Sequence, residues 1–188
     1  SYIIKENAGY SNQLVFVSSE GPIVTYNKIN LFPQLNEFTN FQPGNNLSIL
    51  NIWNLRIGMA ICYDLRFPEI FRNYAYNNVE ICLLPAQWPQ KRINHFNILL
   101  HARAIENQMI MVSTNIIGNI NKTKFGGNSS VIDHLGITQT NLENHEGFSS
   151  SQINIDNVHE WRNEFPVLKN IHQSSIHEIK NYYCDDQN

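Results

Sequence analysis

The sequence predicts an α/β domain built on a mixed β-sheet. Apolar, strand-like runs alternate with helical patterns between residues 47 and 114, which is typical of helices packed against a sheet. After residue 126, short β-like runs follow one another, so we expect antiparallel strands to complete the sheet. The 188 residues are 42% hydrophobic and allow one sizeable core, and we predict one domain over residues 1–188.

The amino-terminal part predicts three strands and a functional loop. Strand-like runs cover residues 2–5, 14–18 and 23–27, and Gly21-Pro22 favours a tight turn before the third. Residues 33–46 are polar and irregular, and this connection is long enough to indicate a functional loop.

The central part predicts the helices and the buried strands. Residues 47–52 and 55–61 form adjacent strands, and residues 68–77 form a helix with Pro68 and Glu69 in its first turn, where both are favourable. A buried strand over 79–84 stops at Pro85. Apolar residues at helical spacing predict a helix over 94–106, and a second buried strand covers 109–114.

The carboxy-terminal part predicts short strands and one more helix. We expect strands at residues 130–133, 136–140 and 148–155. A helix over 156–165 follows, with Asp156 as its N-cap.

Composition excludes several classes of protein. The formal net charge is -3 and Lys and Arg do not cluster, so we expect no nucleic-acid partner. No apolar run approaches the ~20 residues of a membrane span, so we expect no membrane partner. The scattered Cys62, Cys82 and Cys184 are not a disulfide framework and favour a reducing, cytoplasmic location. The His residues lack metal-ligand spacing, so we expect no metal site.

Cys62 lies where a buried strand gives way to a helix, in LRIGMAICYDLRFPEIFR (residues 55–72). Backbone N–H groups and the helix dipole at such a turn favour a thiolate nucleophile. A lone Cys is more often a buried apolar residue at a strand end. Asp64 and Arg66 follow directly and are poor core residues, which favours a functional turn.

Lys28 is the second candidate, because it ends a strand between Tyr26 and the apolar Leu31 and Phe32. A lysine at such a place often only extends its ammonium to solvent. It is alternatively a partly buried cation that binds an oxyanion. The residues alone leave both readings open.

Three segments in this order, YNKINLFP, GMAICYDLRFPE and HARAIENQ, resemble the carbon–nitrogen hydrolase (nitrilase) superfamily. PAQWPQKR and WRNEFP are most similar to its bacterial omega-amidase branch. The resemblance implies an α-β-β-α sandwich with mixed sheets and a homodimer or larger homo-oligomer. The tail after about residue 166 is then a dimer contact or a flexible extension. Because the chain opens in a strand without Met, we expect that an N-terminal strand–helix portion is missing.

The resemblance also implies roles for particular residues. Cys62 matches the nucleophile, and Lys28 matches the lysine that stabilises the oxyanion together with the backbone N–H of Tyr63. Glu37 matches the second glutamate, whereas Glu20 lies at a turn on the wrong side of the strand.

The family's first glutamate, the general base, has no match. Glu6 lies in a turn without the expected context. We therefore expect that the missing N-terminal portion carries the base.

The activity implied is hydrolysis of a small linear carboxamide through a Cys thioester, without metal or organic cofactor. An omega-amidase substrate such as 2-oxoglutaramate or succinamate is the first choice. Deaminated glutathione, an N-carbamoyl amide, or a truncated non-catalytic family member are the alternatives. A papain-type Cys–His hydrolase needs a His with matching context, which the sequence does not offer.

Such a substrate carries a carboxylate at its far end, and this group needs a positively charged residue to bind it. Arg92 and Lys91 are candidates, and Arg66 is another, unless it braces the turn at Cys62. Trp88 is interpreted equally as a pocket wall or as a surface-loop anchor. Asn115 ends a strand and is expected to face the same pocket.

Overall fold

The computed structural model describes residues 1–6, 9–19 and 21–170. Glu20, Cys184 and the tail beyond residue 170 lie outside the described residues, and so does most of the predicted dimer-contact extension. The strands are β1 (Tyr2–Glu6), β2 (Gly9–Ser18), β3 (Gly21–Asn27), β4 (Ile49–Ile52), β5 (Leu55–Met59), β6 (Ile81–Ala86), β7 (Ile110–Asn115), β8 (Ile117–Ile120), β9 (Thr123–Gly126), β10 (Ser130–Ile132) and β11 (Thr138–Asn141). The helices are α1 (Glu37–Asn40), α2 (Pro68–Tyr76), α3 (Ile93–Asn107) and α4 (Asp156–Glu164).

The strands form three sheets. A six-stranded sheet has the order β11-β10-β7-β6-β5-β4, in which β5, β6 and β7 pair in parallel and the outer strands pair antiparallel. The antiparallel order β1-β2-β3 makes a second sheet, and β8-β9 makes a two-stranded ribbon. The prediction of a mixed sheet is therefore confirmed.

Apolar residues on both faces of the six-stranded sheet hold the layers together. On one face, the buried Phe71 of α2 and Phe96 of α3 belong to the larger core cluster. On the other face, Met59 of β5 packs in a second cluster with Tyr26 of β3. The described layers run helices, six-stranded sheet, three-stranded sheet.

The parallel strands bring their carboxyl ends to one edge of the sheet. Cys62 follows β5, Trp88 follows β6, and Asn115 ends β7. Lys28 follows β3 of the facing sheet. This topology collects residues that are far apart in the sequence.

Proline does not end the strand that the sequence places at 79–84. β6 continues through Pro85, which pairs in register with Thr114 of β7. Ala60 N–H donates to the Leu83 carbonyl at 3.0 Å, so Leu83 faces β5, and Pro85, two residues on, faces the same side. The paired residues of β5 end at Met59, opposite Leu83, so the missing N–H of Pro85 costs no ladder hydrogen bond.

Two further expectations need correction. Residues 148–155 form no strand, and the ribbon β8-β9 was not predicted. Asp156 is the first residue of α4 rather than its cap, and its N–H donates to the Asn154 side chain at 3.0 Å. The loop over residues 33–46 is irregular as expected except for a short 3₁₀ turn and α1.

No helix among the described residues is both long enough and apolar enough to cross a membrane.

Candidate active site

Cys62 lies on a tight turn directly beyond β5. It is the first residue of the 3₁₀ helix Cys62–Arg66 and has a φ of 47°, in the left-handed region. A non-glycine residue held there stores strain of ~1–3 kcal/mol, and such strain concentrates at functional sites. The N–H of the following Tyr63 belongs to the first turn, where N–H groups lack partners within the helix.

Asp64 fastens this turn to the neighbouring sheet. Its buried carboxylate accepts from the Ile61 N–H at 3.0 Å and from the Tyr26 hydroxyl at 2.8 Å. It also accepts from the Asn30 N–H at 2.8 Å and the Asn30 side-chain amide at 3.0 Å. Burial raises the pKa of Asp64, and these hydrogen bonds oppose the rise. The sequence showed only that the turn is unusually polar.

Lys28 and Glu37 form a largely buried ion pair. The Lys28 ammonium donates to both carboxylate oxygens of Glu37, at 3.0 and 2.6 Å, and only 2% of the lysine side chain is exposed. The Phe32 N–H donates to the same carboxylate at 2.8 Å. The lysine is therefore a buried cation and does not reach solvent.

A close backbone approach holds the loop around this pair. The Gly44 N–H donates to the Lys28 carbonyl at 2.8 Å. A Cβ at Gly44 would collide with the Asn27 carbonyl oxygen, so only glycine fits there without a shift. This contact brings the loop over residues 33–46 back onto the end of β3.

The surroundings of the Cys62 thiol favour its neutral form. Its sulfur lies 3.8 Å from the Gln87 carbonyl oxygen, to which the S–H donates. Burial raises the pKa of Cys62, while the Lys28 charge and the hydrogen bond to Gln87 lower it, and Glu37 and Asp64 raise it further. Nucleophilic attack therefore needs a group that removes the thiol proton.

A cavity of about 690 Å³ opens beside these residues. Its lining contains every residue that the sequence proposed for catalysis or substrate binding: Lys28, Glu37, Cys62, Tyr63, Arg66, Trp88, Lys91, Arg92 and Asn115. The volume suits a small-molecule ligand.

Trp88 is both a wall of this cavity and a buried anchor, so the two readings of this residue combine. The side chain is buried against Phe96, with ring centroids 5.3 Å apart. Its indole N–H donates to the Arg92 carbonyl at 2.8 Å.

Asn115 acts on Trp88 through the backbone. Its side-chain oxygen accepts from the Trp88 N–H at 2.6 Å, and its amide donates to the carbonyls of Trp88 and Gly127 at 3.3 and 2.7 Å. Because these bonds occupy the carboxamide, Asn115 shapes the wall, and a direct substrate contact stays a prediction.

Two guanidinium groups lie in the cavity wall. The Arg66 guanidinium carbon lies 4.8 Å from the Trp88 ring centroid and 6.0 Å from that of Tyr63. Arg92 lies 5.5 Å from the Phe32 ring centroid. Neither arginine forms an ion pair with a carboxylate among the described residues. The wall therefore has unpaired positive charge for an anionic group.

Acidic residues in the wall are scarce. Within the described part of the chain, Glu37 is the one carboxylate that lines the cavity, and no His lines it. Glu6 bonds instead to Ser11 at 2.9 Å and to Asn27 at 3.4 Å. A papain-type Cys–His pair thus has no support in the described wall. Likewise, no group of three potential metal ligands occurs among the described residues.

Comparison with known proteins agrees with this fold and cavity. The carbon–nitrogen hydrolase family matches residues 1–163, and the chain belongs to this family. The chain is similar to the 2-oxoglutaramate amidase of Bacillus subtilis (strain 168), with 30% identity over 172 residues. That match covers 91% of this chain and 66% of the relative, so the chain spans slightly less than two thirds of the relative's length.

Solved structures confirm the nitrilase-like fold expectation. The carbon–nitrogen hydrolase superfamily protein XC1258 from Xanthomonas campestris, which carries an arsenic adduct in its active site, superposes with a TM-score of 0.87 at 28% identity. The match covers 93% of this chain and 69% of that protein. A variant of the Nesterenkonia sp. AN1 amidase, with an acetamide moiety covalently added at its active-site cysteine, has a TM-score of 0.68 at 26% identity and covers 74% of this chain and 52% of that one.

Proposed function

We propose that this chain hydrolyses a small linear carboxamide to a carboxylate and ammonia through a thioester on Cys62. The observation that carries the proposal is the buried Lys28–Glu37 pair in the same cavity wall as the strained Cys62 turn. A buried cation stabilises an oxyanion, and a thiol at a sharp turn attacks the carbonyl carbon, so the wall supplies two of the three parts that acyl transfer from an amide needs. The third part is a general base.

The reaction divides into acylation and deacylation. The Cys62 thiolate attacks the carbonyl carbon, so that an S–C bond forms and the carbonyl π electrons move onto oxygen. The Lys28 ammonium and the Tyr63 N–H stabilise this oxyanion, each worth ~3–4 kcal/mol. The C–N bond then breaks, the nitrogen takes the proton that the base removed from the thiol, and ammonia leaves. Water attacks the thioester, the C–S bond breaks, one water proton returns to the Cys62 sulfur, and the carboxylate is released with the other proton passing to solvent.

Glu37 positions Lys28 in this scheme. Its carboxylate is already occupied by the lysine and by the Phe32 N–H, which suits an orienting role better than that of a base. The general base that takes the thiol proton and activates the water is not among the described wall residues, because Glu37 is the one carboxylate there. Its place on an N-terminal portion stays a prediction.

The proposed substrate class is an omega-amide with a carboxylate at its far end, such as 2-oxoglutaramate or succinamate. Support comes from the unpaired cations of the wall, Arg66, Lys91 and Arg92, and from the name of the Bacillus subtilis relative. Deaminated glutathione, which also carries carboxylates, and N-carbamoyl amides remain the alternative substrates. The chain is proposed to act as a homodimer or larger homo-oligomer in the cytoplasm.

Ammonia release tests the proposal. The full-length protein is incubated with 2-oxoglutaramate, succinamate and butyramide, and its Cys62→Ala variant is the control. We expect release from the first two, little from neutral butyramide, none from the variant, and a mass increase on the Cys62 peptide after rapid quenching with acid. Release that persists in Cys62→Ala contradicts the thioester mechanism.

A further inference from the structure

We propose that Asp64 is a positioning residue that fixes the nucleophile turn and the Lys28 loop at one separation. The inference rests on the proposed function and adds to it a residue that touches neither substrate nor reacting atoms. Asp64 does not line the cavity. It acts through the backbone on either side of it.

The two carboxylate oxygens of Asp64 face different parts of the site. Oδ2 accepts from the N–H of Ile61, the residue before Cys62, and from the Tyr26 hydroxyl. Oδ1 accepts from the backbone N–H and the side-chain amide of Asn30, two residues after Lys28. One rigid carboxylate therefore ties the turn that carries the nucleophile to the loop that follows the oxyanion lysine.

The bonding pattern suits the ionised carboxylate and opposes the rise in the Asp64 pKa that burial causes. The Ile61 N–H and both groups of Asn30 can only donate, and the Tyr26 hydroxyl can complete the set as a fourth donor. An asparagine at position 64 keeps one acceptor oxygen but turns an N–H₂ group toward a donor. The neutral isostere thus has the same size and loses the bonds on one side of the tether.

Loss of the tether is expected to affect the transition state more than ground-state binding. Acyl transfer depends on the placement of the Cys62 sulfur relative to the oxyanion donors, and a displacement of about 1 Å can cost ~100-fold in rate. Binding of the unreacted substrate depends instead on the wall that holds its far end.

Succinic semialdehyde is the probe, because it reports on this geometry without requiring a general base for water. The Cys62 sulfur adds to its aldehyde carbon, and the thiol proton passes to the carbonyl oxygen, which takes the oxyanion position. Succinate, which cannot react, measures ground-state binding at the same cavity. The ratio of the two dissociation constants isolates positioning.

In Asp64→Asn we expect affinity for the aldehyde to fall ~10–100-fold while affinity for succinate changes less than about threefold. Tyr26→Phe is the matched control, because it removes a hydrogen bond from the same carboxylate but leaves the turn-to-loop tether. It should lower Tm to a similar degree and keep both affinities within about threefold of wild type. An unchanged aldehyde-to-succinate ratio in Asp64→Asn, or equal losses in both variants, overturns the proposal.

If Asp64→Asn does not fold, Asn30→Ala is the second variant that tests the tether. It removes one bond from the loop side of the tether and leaves the carboxylate and the core intact. We expect a ~3–10-fold fall in aldehyde affinity alone, and a wild-type ratio overturns the proposal. If the wild-type chain binds neither probe, the proposed function and this inference are both contradicted. Wild-type binding with no variant effect removes the inference alone.

Discussion

The Lys28 ammonium lies 2.6 and 3.0 Å from the two carboxylate oxygens of Glu37, and the lysine side chain is almost completely excluded from water. The carboxylate gives the buried ammonium a partner of opposite charge, without which burial of the charge would be costly. The same contact prevents the flexible side chain from leaving the cavity. The pair therefore holds a positive charge at a fixed place before any substrate arrives.

Removing the lysine should strongly lower turnover and retain the fold. We expect Lys28→Ala to lower kcat at least ~100-fold, because an oxyanion donor is lost. Lys28→Arg should lower kcat as well, since the planar guanidinium group of arginine does not replace the compact ammonium group of lysine. Ammonia release measures kcat, and circular dichroism checks the fold. Near-normal turnover in either variant contradicts the role given to Lys28.

Glu37→Gln should separate thiol reactivity from turnover. The Lys28 charge lowers the pKa of Cys62 and the Glu37 charge raises it. At fixed pH, iodoacetamide should therefore modify Cys62 faster in Glu37→Gln and more slowly in Lys28→Ala. Turnover should fall in both, because each variant disturbs the oxyanion site. Shifts of the same sign in both alkylation rates would falsify this electrostatic account.

The sequence was sufficient to predict the residues that are chemically out of place. A lysine among apolar residues and a polar turn after a buried strand both indicated candidate site residues. The family resemblance added Glu37. The structure brings Lys28, Glu37 and Cys62 to one cavity. The position of Asn115 was also predictable, but not its bonds to Trp88 and Gly127, since those depend on loops that meet only in the folded chain.

The fold errors have the same physical origin. Pro85 stays in β6 because its neighbour β5 has already ended, which is a fact about the partner strand. Residues 148–155 have the composition of a strand but pair with none. The local sequence pattern determines which secondary structure a segment favours, and pairing with other strands determines which one it adopts.

Cysteine alkylation should distinguish Cys62 from Cys82. Cys82 is fully buried in β6, whereas Cys62 lines the cavity, so iodoacetamide should label Cys62 first. Because burial raises the pKa of Cys62, its thiolate fraction is small at neutral pH and grows as pH rises. We expect a labelling rate that increases about tenfold per pH unit and has not levelled off at about pH 8.5, the ordinary thiol pKa. Peptide mapping with Cys82 labelled first contradicts the geometry.

Asn115→Ala should loosen the Trp88 wall. The substitution leaves a buried Trp88 N–H without its acceptor and removes a donor from the Gly127 carbonyl. A loss of ~2–3 kcal/mol in the free energy of unfolding is expected, together with a higher KM. Urea denaturation measures the first effect. Asn73→Ala, on an exposed helix position, is the control and should change neither quantity appreciably.

The last prediction assigns the distal carboxylate to Arg92 rather than to Arg66. The Arg66 guanidinium stacks on Trp88 and lies 3.4 Å from the His95 ring nitrogen, so it also braces the nucleophile turn. Among the described residues, the Arg92 guanidinium has only a long contact of 3.5 Å to the Gln34 side chain and lies above Phe32, which leaves its charge available.

Arg92→Gln should therefore raise KM for succinamate by about tenfold or more and leave the neutral butyramide, of equal chain length, unchanged. Arg66→Gln should impair both amides, because it disturbs the turn itself. Arg92→Lys should recover part of the affinity, since it restores charge without the bidentate fork. Equal losses for charged and neutral amides in Arg92→Gln contradict the assignment, and a charge-selective loss in Arg66→Gln transfers the carboxylate to that residue.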